Sequence, residues 1–347
     1  MIKAGFRTLF ALMILIVVPA RVLAQDADDN FYKGKTITII VSGGGGYESF
    51  ARTFARHMPN YIAGHPNMIV QLMPGAGGVV AGNYLFNAAP RDGTVIGGVH
   101  GNVITAPLLS PDATKFDTTK FSWIGNASRS TYVGFVWNNA PIQTLTDAKT
   151  IQVSMGGTSI GGAGIDMAML GRDLFGFKFK IIAGYKTADE TELALERGEI
   201  DGMFAHAWAD LKTEKPDWLR DGKIRLIVQH GFTKDPDVPD VPLLLDFAQN
   251  DLERQILGLE VVRQDVALPY VAPPGIPAGR LANLRQAFQA TLKDPDFLAD
   301  LKQQNLAINQ PMTGEDLAAE VAKVAGTPAA PVKKLQELLA NFGAGGQ

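Results

Sequence analysis

A strand, a glycine-rich loop and a helix follow one another three times along this chain, and that unit restricts the fold more than any other feature. The first copy has the apolar, β-branched residues 37–41, then Ser42 and four glycines, then residues 47–58. The strand reads as buried in a parallel sheet. Phe50, Phe54 and Met58 recur every four residues with Ala51 and Ala55 beside them, while Arg52 and Arg56 fall elsewhere on the wheel, so one helical face is apolar. The second copy is a strand at 68–72, a loop at 73–78, and a helix at 79–87 carrying Val80, Tyr84 and Phe86. The third is a strand at 151–155, a loop at 156–162 and a helix at 165–175. Such alternation builds right-handed βαβ crossovers. Each loop also aims backbone N–H groups and a helix N-terminus at open space, a setting that attracts anions.

Residues 1–24 have the make-up of a secretory signal. Lys3 and Arg7 precede an apolar stretch too short to span a bilayer, and small residues end at Ala24, after which cleavage is expected. The chain has no cysteine, which removes disulfides, thiolate metal sites, thiol catalysis and a lipid anchor. Removing Lys3, Arg7 and Arg21 from 32 basic residues leaves 29 against 35 acidic, a formal charge of −6, so nucleic acid is disfavoured as a partner. A chain of this length accommodates two domains. The order of strands and turns places residues 128–232 as a second lobe inserted into a first made of 25–127 and 233–347. The fold class is therefore α/β, two lobes with a mainly parallel sheet flanked by helices in each and a hinge between them. A cleft between lobes is the usual home of a ligand.

The glycines at 43–46 lack the Lys-Ser/Thr ending of a phosphate loop and the spacing of a dinucleotide fingerprint. Gly157 to Gly161 matches the G-x-S-x-G elbow around Ser159, and Asp201 and His230 follow in hydrolase order; a secreted serine hydrolase is the enzyme alternative. The five histidines, His57, His65, His100, His206 and His230, show no metal spacing, and no cofactor or metal is expected. His100, beside Gly101 and Asn102 in a strand-end loop, is a candidate for the cleft.

Residues 31–35 before the first strand, the 43–48 loop, Pro74-Gly75-Ala76-Gly77-Gly78, the 89–94 turn, residues 195–201, Pro239-Asp240-Val241-Pro242 and residues 272–277 together resemble the solute receptors of tripartite tricarboxylate transporters, the Bug family. The likeness runs in order along the whole chain after the signal. It implies a two-lobed periplasmic binding protein of type II-like fold, expected to be monomeric and not an enzyme, that closes on a small di- or tricarboxylate or aromatic acid and hands it to membrane permease subunits. A carboxylate-sensing receptor for a signalling partner would share that site. Carried over by position, the resemblance nominates Ser42, Gly43, Gly44, Gly45, Gly46, Tyr47 and Glu48; Gly75, Ala76, Gly77 and Gly78; Gly156, Gly157, Thr158 and Ser159; and Tyr185 and Asp201. Two departures mark this chain. The family's Pro-Ala-Gly-Gly-x-x-Asp becomes Ser42 to Glu48, with Tyr47 before a glutamate, and a Tyr-Lys-Gly turn becomes Tyr185-Lys186-Thr187.

Overall fold

The computed structural model describes residues 30–158, 162–304 and 306–344; the signal segment at 1–24 and Ser159 lie outside them. The described strands form two sheets. The first contains β1 (Thr36–Val41), β2 (Asn67–Leu72), β3 (Val95–Gly98), β4 (Ser122–Asn126), β10 (Pro269–Ala272) and β11 (Met312–Thr313), in the order β11-β4-β10-β3-β1-β2. The second contains β5 (Tyr132–Trp137), β6 (Val153–Gly157), β7 (Phe179–Ala183), β8 (Gly202–Ala207) and β9 (Ile224–His230), in the order β7-β6-β8-β5-β9. Both are more mixed than the loop repeats alone imply. β1 pairs in parallel with β2 and β3, and β6 with β7 and β8. The strands that arrive from the other sheet, β5 and β10, run antiparallel to their neighbours.

Helices cover the faces: α1 (Gly46–His57), α2 (Val79–Asn87), α3 (Asn102–Leu109), α4 (Ala163–Phe175), α5 (Ala188–Glu196), α6 (Trp208–Glu214), α7 (Pro216–Arg220), α8 (Asp251–Asp265), α9 (Ala278–Thr291), α10 (Pro295–Gln303), α11 (Gly314–Ala325) and α12 (Ala329–Ala344). The periodicity of α1 does what its spacing requires. Phe50, Phe54 and Met58 are buried, and the Phe54 ring stacks on Phe288 of α9 and packs against Phe297 of α10. In α2 the buried face is Val79, Ala81, Gly82 and Leu85, while Val80 is 44% exposed. The small residues win there because the helix lies so close to Phe116 that a Cβ on Gly82 would come within 2.6 Å of its ring.

The chain crosses between the sheets after β4 and again before β10, and the two crossings hold each other. Ala267 N–H donates to the Ser128 carbonyl at 3.2 Å, Ser130 N–H to the Asp265 carbonyl at 3.3 Å, and Arg129 pairs with the Asp265 carboxylate at 2.6 Å. A single buried apolar cluster passes from Ile40 and Val103 through Ile256, Leu259 and Val262 of α8 to Met155, Ile165 and Phe204. Helix α8 therefore packs against both halves.

Candidate functional site

The carboxyl ends of β1, β2 and β3 point the same way, and the loops that leave them pack on one another. Ser42 Oγ accepts a hydrogen bond from His100 N–H at 3.0 Å, fastening the first loop to the third. A Cβ on Gly43 would lie 2.4 Å from His100 Nε2, so glycine alone leaves room for the ring. The turn at Gly75, Ala76, Gly77 and Gly78 has positive φ at every position and sits behind this pair, with Gly78 against Ser42 and Gly77 against Asn102. It supports the site from behind.

Tyr47, in the first turn of α1, stacks on His100 with ring centroids 4.0 Å apart. Burial pushes the Tyr47 hydroxyl pKa up and the His100 pKa down, so both rings are neutral at physiological pH. His100 Nε2 is shut off from solvent without a hydrogen-bond partner.

Two cavities meet at Tyr47. The larger, about 500 Å³, lies between Gly46, Tyr47 and Phe50 on one side and Trp208, Asp210 and Lys212 on the other; the crossing segments form its floor. The smaller, about 200 Å³, lies between His100 and Asn102 on the first-sheet side, Ala163 and Asp166 in the first turn of α4, and Glu260 and Arg263 of α8. Tyr47, Ser130 and Ala267 line both. Three helix N-termini thus open on the same cleft, those of α1, α3 and α4. Arg263 is held in place: Nη1 donates to both Glu260 carboxylate oxygens at 2.7 Å and Nε donates to Asn102 Oδ1 at 3.0 Å.

Behind the second-sheet wall lies a buried charged triad. His206 Nδ1 faces the Ala207 carbonyl at 3.1 Å and Nε2 faces the Glu192 carboxylate at 3.0 Å. Both neighbours only accept, so both ring nitrogens carry hydrogen and His206 is an imidazolium. Burial alone would lower its pKa; the Glu192 and Ala207 contacts reverse that and raise it. Burial would likewise raise Glu192, but His206 and Lys215 hold it below the usual carboxylate value. Lys215 Nζ stands 3.0 Å from Glu192 Oε2 as an ion pair without hydrogen-bond alignment.

The remaining sequence candidates fall elsewhere. Gly44 and Gly45 lead into α1 beside the cavity wall, and Glu48 turns along the helix to pair with Arg52 at 2.6 Å. Gly156 and Gly157 end β6 packed against Ile200 and Ile165, and the Thr158 carbonyl accepts from Gly184 N–H at 2.8 Å. Tyr185 is partly buried against the outside of the second-sheet core. Asp201, expected to face the ligand, instead accepts from Ser154 N–H at 2.7 Å and Ser154 Oγ at 2.6 Å at the opposite end of β6, fastening β6 to β8. His230 does not meet it. Its Nε2 donates to the Phe204 carbonyl at 2.6 Å, and burial lowers its pKa to about 4. The pairing a Ser-Asp-His relay needs is therefore missing between these two residues.

Sequence reasoning did not single out Asn102, Trp208, Asp210, Glu260 or Arg263. A usable signal existed for two of them: β8 runs on to Ala207 and α6 starts at once, so Trp208 and Asp210 stand at another strand end. Among the described residues no group of three or more metal-ligating side chains is close enough to hold a metal ion.

A family model, the TctC tripartite tricarboxylate transporter family receptor, matches residues 50–325. A TctC solute-binding protein from Polaromonas superposes with a TM-score of 0.68 at 20% identity, covering 89% of this chain and 99% of that one. The MatC protein of Rhodopseudomonas palustris, solved with malate, gives 0.54 at 19% identity over 88% and 99% of the two chains. An R. palustris protein solved with adipate gives 0.56 at 16% over 88% and 97%. The chain matches no curated protein.

Proposed function

Because the chain belongs to the tripartite tricarboxylate transporter receptor family, whose members are periplasmic binding receptors and not enzymes, we propose that it captures a small carboxylate in the cleft between its sheets and delivers it to the membrane subunits of such a transporter. One observation carries this reading: the N-termini of α1, α3 and α4 open on one cleft beside Arg263, with neutral Tyr47 and His100 between them. Main-chain N–H groups and helix dipoles favour an anion there. A charge-assisted hydrogen bond contributes about 1.5–3 kcal/mol and a helix terminus about 0.3–1 kcal/mol. Four such contacts reach roughly the 8 kcal/mol of a micromolar complex before ordering costs. The malate and adipate in the two related structures support the same ligand class. The mature receptor starts after Ala24, acts as a monomer, and consists of a lobe of residues 25–127 and 233–347 and an inserted lobe of 128–232 that close on the ligand. A thermal-shift panel of mono-, di- and tricarboxylates and aromatic acids tests it. At least one acid raises the melting temperature in a concentration-dependent way; no rise from any of them overturns the reading.

A further inference from the structure

The larger cavity carries a charge pattern that a simple di- or tricarboxylate does not complement. Around the two cavities stand five carboxylates, Asp166, Asp210, Asp235, Asp237 and Glu260, against three cationic side chains, Arg129, Lys212 and Arg263. Each cation is already engaged: Arg129 by Asp265 at 2.6 Å, Lys212 by Asp237 at 2.5 Å, and Arg263 by Glu260. Asp210 differs from the other acids. It opens on the larger cavity, and among the described residues no hydrogen-bond or contact ion-pair partner holds its carboxylate; the His206 imidazolium behind the wall acts on it through space and offsets only part of the burial that raises its pKa.

Its surroundings are aromatic. Trp208, two residues earlier, is buried in the cavity wall; Tyr47 and Phe50 face it from α1; and Tyr132 is near enough to feel the Asp210 charge. Ring faces attract cations, and desolvation strengthens the attraction. The wall already holds one example, Lys212 Nζ 5.3 Å from the Trp208 ring centroid.

We propose that the ligand is a carboxylate that also carries a protonated or quaternary nitrogen, seated in the larger cavity between the Asp210 carboxylate and the rings of Tyr47 and Trp208. This rests on the carboxylate-receptor reading above and narrows it. The carboxylate end lies against the N-terminus of α1 at Gly46 and Tyr47, and the cationic end balances the surplus acid of the second-sheet wall. A dianion of the same length would set its second carboxylate against Asp210 instead.

The experiment is a thermal-shift panel of matched sets: ω-amino acids, their trimethylammonium derivatives, the alkyl acids with a methyl group in place of the nitrogen, and the dicarboxylates of equal length, such as γ-aminobutyrate, its betaine, valerate and glutarate. Calorimetry on wild type and Asp210→Asn follows for the set that shifts most. In the wild type the nitrogen-bearing member binds about 30-fold more tightly than its alkyl counterpart, and Asp210→Asn removes that preference. A dicarboxylate or alkyl acid as the tightest member, or a preference that survives Asp210→Asn, overturns the proposal and leaves the receptor reading standing. No response to any member of any set overturns the proposal alone, because the receptor reading is tested by the wider panel that includes tricarboxylates and aromatic acids.

Discussion

On the first-sheet wall of the cleft the polar groups are main-chain N–H groups at strand ends, with a neutral His100 stacked on Tyr47. On the second-sheet wall the N-terminus of α4 is joined by full charges: Asp210 at the surface and, behind it, the His206 imidazolium between Glu192 and the Ala207 carbonyl. A wall of peptide dipoles is fixed by backbone geometry and suits any carboxylate. A wall of charged side chains can be rewritten one residue at a time. The contrast separates what every ligand of this cleft must have from what a particular ligand adds.

The largest expected effect breaks the charged wall. Glu192→Gln leaves His206 and Lys215 facing each other without the carboxylate between them, and the loss of one partner from a buried network of this kind costs about 3 kcal/mol. Chemical denaturation measures it, and Glu192→Asp recovers part of the loss. Next, Gly44→Asp places a negative charge at the dipole wall. A Cβ there meets nothing closer than Glu48 at 3.9 Å, so the fold survives while carboxylate affinity falls by about 100-fold or more in calorimetry. Unchanged affinity would break the comparison outright. A smaller effect is expected of Gly43→Ala, whose methyl group displaces the His100 ring and loosens its stack on Tyr47. We expect a loss of about 1–2 kcal/mol in stability and a weaker ligand response.

The mildest test uses pH and two histidines on the strands that flank β5. His206 has a raised pKa, so its contribution to stability is complete below the ordinary value of 6.5 and is lost as pH rises through the folded value. His230 has a pKa lowered to about 4, so its neutral burial stabilises above 6.5 and that contribution is lost as pH falls from there towards 4. The denaturation midpoint followed against pH should therefore decline on both sides. His206→Asn flattens the alkaline limb and leaves the acid limb in place.

Much of the first-sheet wall was legible in the sequence, because glycine runs between an apolar strand and an apolar-faced helix have few other uses. Ser42, the four glycines, Tyr47 and His100 all lie at or beside the strand-end loops. The second-sheet wall was harder to read. Helix α8 buries Ile256, Leu257, Leu259, Val261 and Val262 together with Glu260 and Asp265, so its apolar residues run round the helix and leave no single stripe to recognise. Its buried acids make sense only beside Arg263 and Arg129, the latter 136 residues away in sequence. Helix α3 hides for a related reason: Pro107 lies inside it, where a sequence reading expects a break. Asp201 misled in the opposite direction, since an acid at a strand start is as well used by a neighbouring serine as by a ligand.

The ring of Tyr47 borders both the 200 Å³ and the 500 Å³ cavities, and that position governs the shape of what the cleft can hold. A molecule occupying both chambers must bend around the ring edge, so the protein sorts its ligands by curvature as well as by charge. Flexible chains with a rotatable middle pass this criterion, and stiff planar acids longer than one chamber fail it. Ser130 and Ala267 share that border, so a smaller residue at position 47 widens the passage between the chambers and relaxes the criterion.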